Sequence, residues 1–399
     1  MSIFGVWMWP QSVRQSGAQS VAHRCAQIGI TDIYFLTKGL AGTTSHHSEL
    51  APACCERDLL HELTQAAHAL GIRVHAWLTS ASDEHYKALH PESGRCHYTR
   101  GRDKGLISLT DNAYLAYMEE IVRELCRRYD IDGLHLDYIR YNHLLYGWAE
   151  EDMARYAAAG ADVTRLRSLM DRTFLGDAPD AACIFDALRA GDEHVRALAR
   201  ARRSDVTAFA KALTGCARAE RSDLILSAAL MPEGAYSDSA FADLHYGQSY
   251  EDAAALYDYV LPMAYSKAYD KDGQWIRSVA ENTLKKGLRT IMGLHAYEGG
   301  TGASLKEDIL ALQDTAVSGI CLFREGAFAT ALADGCKLRL INTLERPITA
   351  ICSDPDEYAI PLDSALLPGE ERCFTLPSAP DVIRIFTGDT EASVYLAKT

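Results

Sequence analysis

Only 12 prolines interrupt the 399 residues, and no apolar run approaches the ~18–20 residues that a membrane span requires. A membrane-embedded chain and a largely disordered one are thereby excluded. The 48% hydrophobic and 24% charged residues match the composition of a soluble globular protein. Basic blocks are missing too. The 40 Lys+Arg against 54 Asp+Glu leave a formal charge of -14, and no Lys/Arg-rich stretch offers the electrostatic footprint of a nucleic-acid binder. The N-terminus lacks a basic region followed by an apolar core, which predicts a cytoplasmic protein. The 11 cysteines include no CxxC pair, and adjacent Cys54 and Cys55 cannot place two ligands in ordinary zinc geometry. Buried free thiols in a reducing compartment are expected instead. No P-loop, strand-borne GxGxxG, nucleophile elbow, Cys–His signature, HxH or HExxH occurs, so no cofactor and no metal is called for. Gly299-Gly300-Thr301-Gly302 reads as a turn rather than a phosphate cradle.

What is present is alternation. Apolar runs at residues 3–8, 32–37, 73–78, 132–137, 224–230, 259–265, 289–295 and 319–323 are separated by helical stretches, among them 13–27, 59–70, 112–128, 274–286 and 304–315. Eight such units predict an α/β fold, a (β/α)8 TIM barrel over residues 1–335. A long helical insertion follows strand four at about 142–222, with helices near 163–170 and 195–216. Its first part, 144–192, forms either a lid over the strand ends or a pack against the barrel side. After Gly335, alternating runs separated by Pro and Gly predict a small C-terminal β-sandwich-like domain at 336–399, which stabilises the barrel edge rather than binding sugar.

Period-two parity assigns strand faces. Leu134 and Leu136 suit the helix-facing side of strand four, while Gly133, His135 and Asp137 point inward. Val74, Ala76 and Leu78 face outward from strand three, with His75 and Trp77 inside. Strand five carries Glu233 to the inner rim, strand seven points His295 inward, and strand eight puts Glu325 on the parity of Cys321 and Phe323. Polar groups thus gather at the C-terminal strand ends, where barrel active sites lie. Asp137 is either a carboxylate placed at the mouth or half of an ion pair with Arg140. Asp132, at the opposite strand end, caps a turn. Trp7, Trp9 and Trp77 offer flat faces for sugar rings, Trp9 being the best placed because the other two lie deeper. Lys38, His75, His135, Tyr138, Arg140, Tyr265 and His295 are candidate hydroxyl-binding groups, and Glu325 is a spare acid.

The segment YDIDGLHLDYIRY at 129–141 follows HAWL in strand three and precedes YGQSYEDAAALYDYVLPMAYS at 246–266. Together they resemble the uncharacterised glycosyl-hydrolase-like barrel families related to the alpha-amylase and alpha-galactosidase clans, over roughly residues 1–330. The resemblance implies a carbohydrate-active barrel with Asp137 as nucleophile and Glu233 as acid/base. Those enzymes place Arg where this chain has His135, and an Asp after strand seven where this chain has His295 and Glu298. The chitinase run DGxDxDxE is broken by His135 and Ile139. A cellulase-type pair would use Glu298 but requires Glu where strand four ends in Asp137. The expectation is a glycoside hydrolase acting on an oligosaccharide through two carboxyl groups. A sugar-binding barrel without turnover and a metal-dependent barrel hydrolase are the competing readings.

Overall fold

A computed structural model describes residues 2–175, 178–236, 240–297, 299–354 and 358–398. Eight parallel strands close a barrel: β1 (Ile3–Met8), β2 (Asp32–Lys38), β3 (Arg73–Thr79), β4 (Gly133–Asp137), β5 (Ile225–Leu230), β6 (Tyr259–Ala264), β7 (Ile291–His295) and β8 (Gly319–Phe323). Closure runs through β1, whose Trp7 registers with Phe323 of β8 and with Tyr34 of β2. Side chains alternate as strand geometry requires. Leu134, Leu136, Val74, Ala76 and Leu78 join the core between strands and helices, whereas Trp7, Tyr34, Trp77, Ala229, Leu261 and Cys321 fill the barrel interior. Full burial of a leucine such as Leu134 stabilises by ~1.5–3 kcal/mol.

The surrounding helices follow their sequence signals. Asp111 accepts from the amides of Ala113 and Tyr114 and starts the helix Asn112–Arg128, which buries Tyr114, Met118, Ile121, Val122 and Leu125 at helical spacing. The stretch expected as one helix at 13–27 is two, Pro10–Ser16 and Ala18–Gln27, broken at Gly17. Gly17 has φ 81°, a conformation open to glycine and costly for other residues.

The insertion after β4 holds helices Glu150–Ala158, Val163–Phe174 and Cys183–Arg189 around a core of its own, including Leu144, Trp148, Tyr156, Leu166, Met170, Ile184 and Leu198. The helix Glu193–Glu220 serves both cores, with Val195 and Leu198 in the insertion and Val206, Phe209 and Leu213 against the barrel. A hairpin after β3, Gly94–His97 with Gly101–Ile107, docks on the insertion: the amides of Tyr98 and Gly147 donate to the carbonyls of Leu145 and Cys96.

The C-terminal region is two four-stranded sheets. Glu371–Thr375, Lys337–Ile341, Ala329–Asp334 and Val394–Lys398 form one; Tyr358–Ile360, Ala350–Asp354, Val382–Thr387 and Thr390–Ala392 form the other. Their inner faces share a core of Ala331, Leu338, Leu340, Ile351, Ile383 and Ile385. The strand Ala329–Asp334 precedes residue 336 yet pairs within this sandwich.

Candidate active site

Asp137 ends β4 and faces the barrel axis, 5% exposed. Its carboxylate accepts from Trp77 Nε1 at 3.1 Å on Oδ2 and from the Tyr138 amide at 2.6 Å on Oδ1. Tyr138 has φ 54°, an outlier for a bulky side chain, and such strain is held at sites where surrounding structure over-determines the backbone. Here the restraint comes from contacts at Arg140, Tyr141 and Asn142. Buried Arg95 donates to the Arg140 carbonyl and to Asn142 Oδ1, the Tyr141 amide donates to the Tyr246 carbonyl, and the Arg202 guanidinium covers the Tyr141 ring at 3.7 Å. The hairpin and the insertion helix therefore fix the loop that aims Asp137.

Glu233 lies in the 3-10 turn Pro232–Ala235 that follows β5. Tyr269 and Tyr246 donate their hydroxyls to Oε1 at 3.2 and 3.3 Å. Burial pushes the Glu233 carboxyl above its ordinary range, against these bonds and the Arg140 cation. Burial likewise raises Asp137, against Arg140, the Tyr138 amide and Trp77. Arg140 thus acts on both carboxyl groups. Its guanidinium lies 5.0 Å from the Tyr138 ring centre, its Nε is buried without a hydrogen-bond partner, and among the described residues it closes no ion pair. The Asp137–Arg140 ion pair considered from the sequence does not form.

Aromatic rings complete the mouth. Phe323 lies 5.5 Å from Tyr265, 5.3 Å from Tyr297, 6.4 Å from Trp77 and 6.4 Å from Trp9 between ring centres. His295 stacks on Tyr297 at 4.0 Å and meets Tyr265 edge-on. Trp9 stands at the rim, 37% exposed, with the Arg324 guanidinium over its ring at 3.7 Å.

No protein-family model and no curated protein sequence matches the chain. Solved structures do. The PgaB (BpsB) glycoside hydrolase domain from Bordetella bronchiseptica superposes with a TM-score of 0.64 at 15% identity, over 82% of this chain and 94% of that one. The catalytic domain of a beta-amylase from Paenibacillus polymyxa gives 0.59 at 10% identity, over 81% and 92%. Alpha-L-fucosidase isoenzyme 2 from Paenibacillus thiaminolyticus gives 0.56 at 14% identity over 82% of this chain, which spans 46% of that longer one. The barrel shares its fold with glycoside hydrolases.

The mouth brings together Asp137, Glu233, Arg140, Tyr138, Trp77, Tyr265 and His295, with Trp9 at the rim. Four other expected residues stand elsewhere. Lys38 is fully buried in an ion pair with Asp83 at 2.8 Å and reaches the Tyr114 hydroxyl. The register of β2 shifts between Leu36 and Lys38, which pairs Lys38 with outward-facing Leu78 and turns it into the helix layer. His75 sits low in the barrel, bonded to Asp32 Oδ1 at 2.8 Å and stacked on Tyr34. Gly133 makes room for it, since a Cβ there would lie 2.2 Å from His75 Nδ1. Burial pushes the Asp32 carboxyl up, but bonds from His75 and Arg73 outweigh it and hold it at about 2. His135 is enclosed mid-barrel, accepting from Trp7 Nε1 and facing Ser227 Oγ, and burial pushes its pKa well below the ordinary histidine value. Glu325 leaves the mouth altogether: alternation ends with β8, its amide donates to the Trp7 carbonyl, and its carboxylate pairs with Arg24 at 3.0 Å. Glu298 lies outside the described residues. Phe323, Tyr246, Tyr269 and Tyr297 also border the site; Phe323 has the inward parity of Cys321 and Tyr246 opens the second resemblance segment, whereas Tyr269 and Tyr297 carry no such signal. Among the described residues no three His, Cys, Asp or Glu side chains converge as metal ligands do.

Proposed function

We propose that the chain is a glycoside hydrolase cleaving an O-glycosidic bond of an oligosaccharide, with Asp137 as nucleophile or base and Glu233 as general acid/base. The observation that carries the reading is two carboxyl groups after adjacent barrel strands, both buried so that their pKa values are raised and both acted on by the Arg140 charge. Glycoside hydrolysis requires such a pair, one protonated to release the leaving oxygen and one ionised to attack carbon or activate water. Glu233, whose carboxyl burial raises against its own backbone amide and two tyrosine hydroxyls, is suited to carry the proton. Asp137 holds an amide and an indole donor that favour its ionised form. The exposed Trp9 and the Tyr265–Phe323–Tyr297 group supply faces for the C–H surfaces of sugar rings. All 11 cysteines are free, which fits a reducing, cytoplasmic setting.

Hydrolysis of a panel of aryl α- and β-glycosides and natural oligosaccharides tests the reading, with proton NMR of the first-formed product. Turnover of one anomeric series is expected, retention of configuration indicating Asp137 as nucleophile and inversion indicating it as base. A folded wild-type protein that turns over no member of the panel would overturn it.

A further inference from the structure

The C-terminal sandwich meets the barrel at the strand-seven loop with little room to spare. Ser393 Oγ donates to the Tyr297 carbonyl at 3.5 Å, and a Cβ on Gly300 would lie 2.5 Å from Ser393 Oγ. Beside this seam is a cleft of about 290 Å3. Its barrel wall includes Tyr297, which stacks on His295 in the mouth, and Arg324, which covers Trp9 at the rim. Its sandwich wall includes Glu345, Arg346, Thr390 and Glu391, the last held by Arg384 at 3.0 Å. The cleft therefore begins where the aromatic mouth ends. Its volume is at the lower end of ligand pockets, ~300–1,000 Å3, and accommodates one ring rather than a chain.

We infer that the sandwich supplies a sugar-binding subsite to the barrel, this cleft taking one uncharged sugar residue at the end of a chain that lies across the mouth over Trp9. The inference rests on the hydrolase reading for what occupies the mouth. Two observations select the ligand. Among the described residues the walls carry both guanidinium groups, from Arg324 and Arg346, and carboxylates, from Glu345 and the Arg384-paired Glu391, so donors and acceptors for neutral hydroxyls stand side by side. Guanidinium, carboxylate and hydroxyl groups around a space bounded by one tyrosine ring suit a ligand with hydroxyls on its edges and a C–H face. The sandwich then has a part in substrate choice beyond bracing the barrel edge.

The test is calorimetric titration of the full-length Asp137→Asn protein with malto-, cello-, galacto- and chito-oligosaccharides of increasing length. It is repeated with Glu345→Ala and Arg346→Ala added, both positions being exposed. One series is expected to gain about tenfold in affinity when the sugar reaching the cleft is added, and the added substitutions to abolish that gain while shorter members bind unchanged. On the wild-type background the same two substitutions leave aryl-glycoside turnover unaltered. Equal affinity with and without them at every length overturns the subsite, as does failure of every series to bind. A length-dependent gain in a protein that turns over no glycoside leaves the subsite standing and removes the hydrolase reading.

Discussion

Replacing Trp77 by Phe removes one of two hydrogen-bond donors to the Asp137 carboxylate and leaves an aromatic ring in the barrel interior. The bond is 3.1 Å long and buried, with Trp77 4% and Asp137 5% exposed, so water does not substitute for it. A hydrogen bond to a charged group contributes ~1.5–3 kcal/mol, and ~1.4 kcal/mol corresponds to one pKa unit. Losing a donor that favours the ionised form raises the Asp137 pKa by about 1–2 units above its already raised position. If Asp137 acts ionised, the acid limb of the kcat/KM profile reports it in the free enzyme and moves to higher pH by that amount, with the rate on the plateau retained. Carbon-13 titration of the labelled carboxyl, assigned by its loss in Asp137→Asn, reads the same shift without turnover. A limb and a carboxyl pKa that stay within a few tenths of wild type would refute the reasoning, because the indole would then contribute nothing to the charge state of Asp137.

Arg140→Met removes the cation that favours ionisation of both Asp137 and Glu233, so both limbs of the pH profile move upward together; movement of one limb alone contradicts a shared cation. Lys38→Met leaves Asp83 buried without its partner and is expected to destabilise by ~3–5 kcal/mol in urea unfolding, while KM of the folded protein is unchanged; a raised KM at unaltered stability would return Lys38 to the substrate. Asp32→Asn addresses the barrel floor. The Asp32 pKa is depressed from 3.8 to about 2, so its contribution of ~2–3 kcal/mol is present above pH ~4 and is lost as pH falls through about 2. The variant should trail wild type by that amount at pH 7 and match it near pH 2, and a gap that does not depend on pH excludes the linkage.

The barrel was legible because its strands carry their period openly: Leu134 and Leu136 alternate with His135 and Asp137, and the structure turns these sets to opposite sides. The same rule misplaced Lys38 and Glu325. Parity counts residues, and the register shift in β2 and the end of β8 each break the count where no residue type announces it. The hairpin at 94–107 carries no strand signal because Gly, Arg, Asp and Lys interrupt any alternation there, and it is tied by backbone bonds to the insertion and to the loop after β3. His75 had the parity of a mouth residue but not the height, since depth in a barrel depends on stagger between strands, which a single strand's sequence does not encode. The Glu233 surroundings were half legible: Tyr246 lies in a segment that stood out, whereas Tyr269 reaches the carboxylate from a loop whose sequence carries no period.

The most direct test of the carboxyl pair compares leaving groups. Dinitrophenyl glycosides depart without protonation, whereas natural oligosaccharides require it, and positioned acid–base groups contribute ~10²–10⁴-fold. Glu233→Gln should retain near wild-type kcat/KM for the dinitrophenyl substrate and lose ~10²–10⁴-fold in kcat/KM on the oligosaccharide, while Asp137→Asn loses both. Wild-type turnover of either substrate by Asp137→Asn, or an equal loss on both substrates in Glu233→Gln, would contradict the assignment of these two residues.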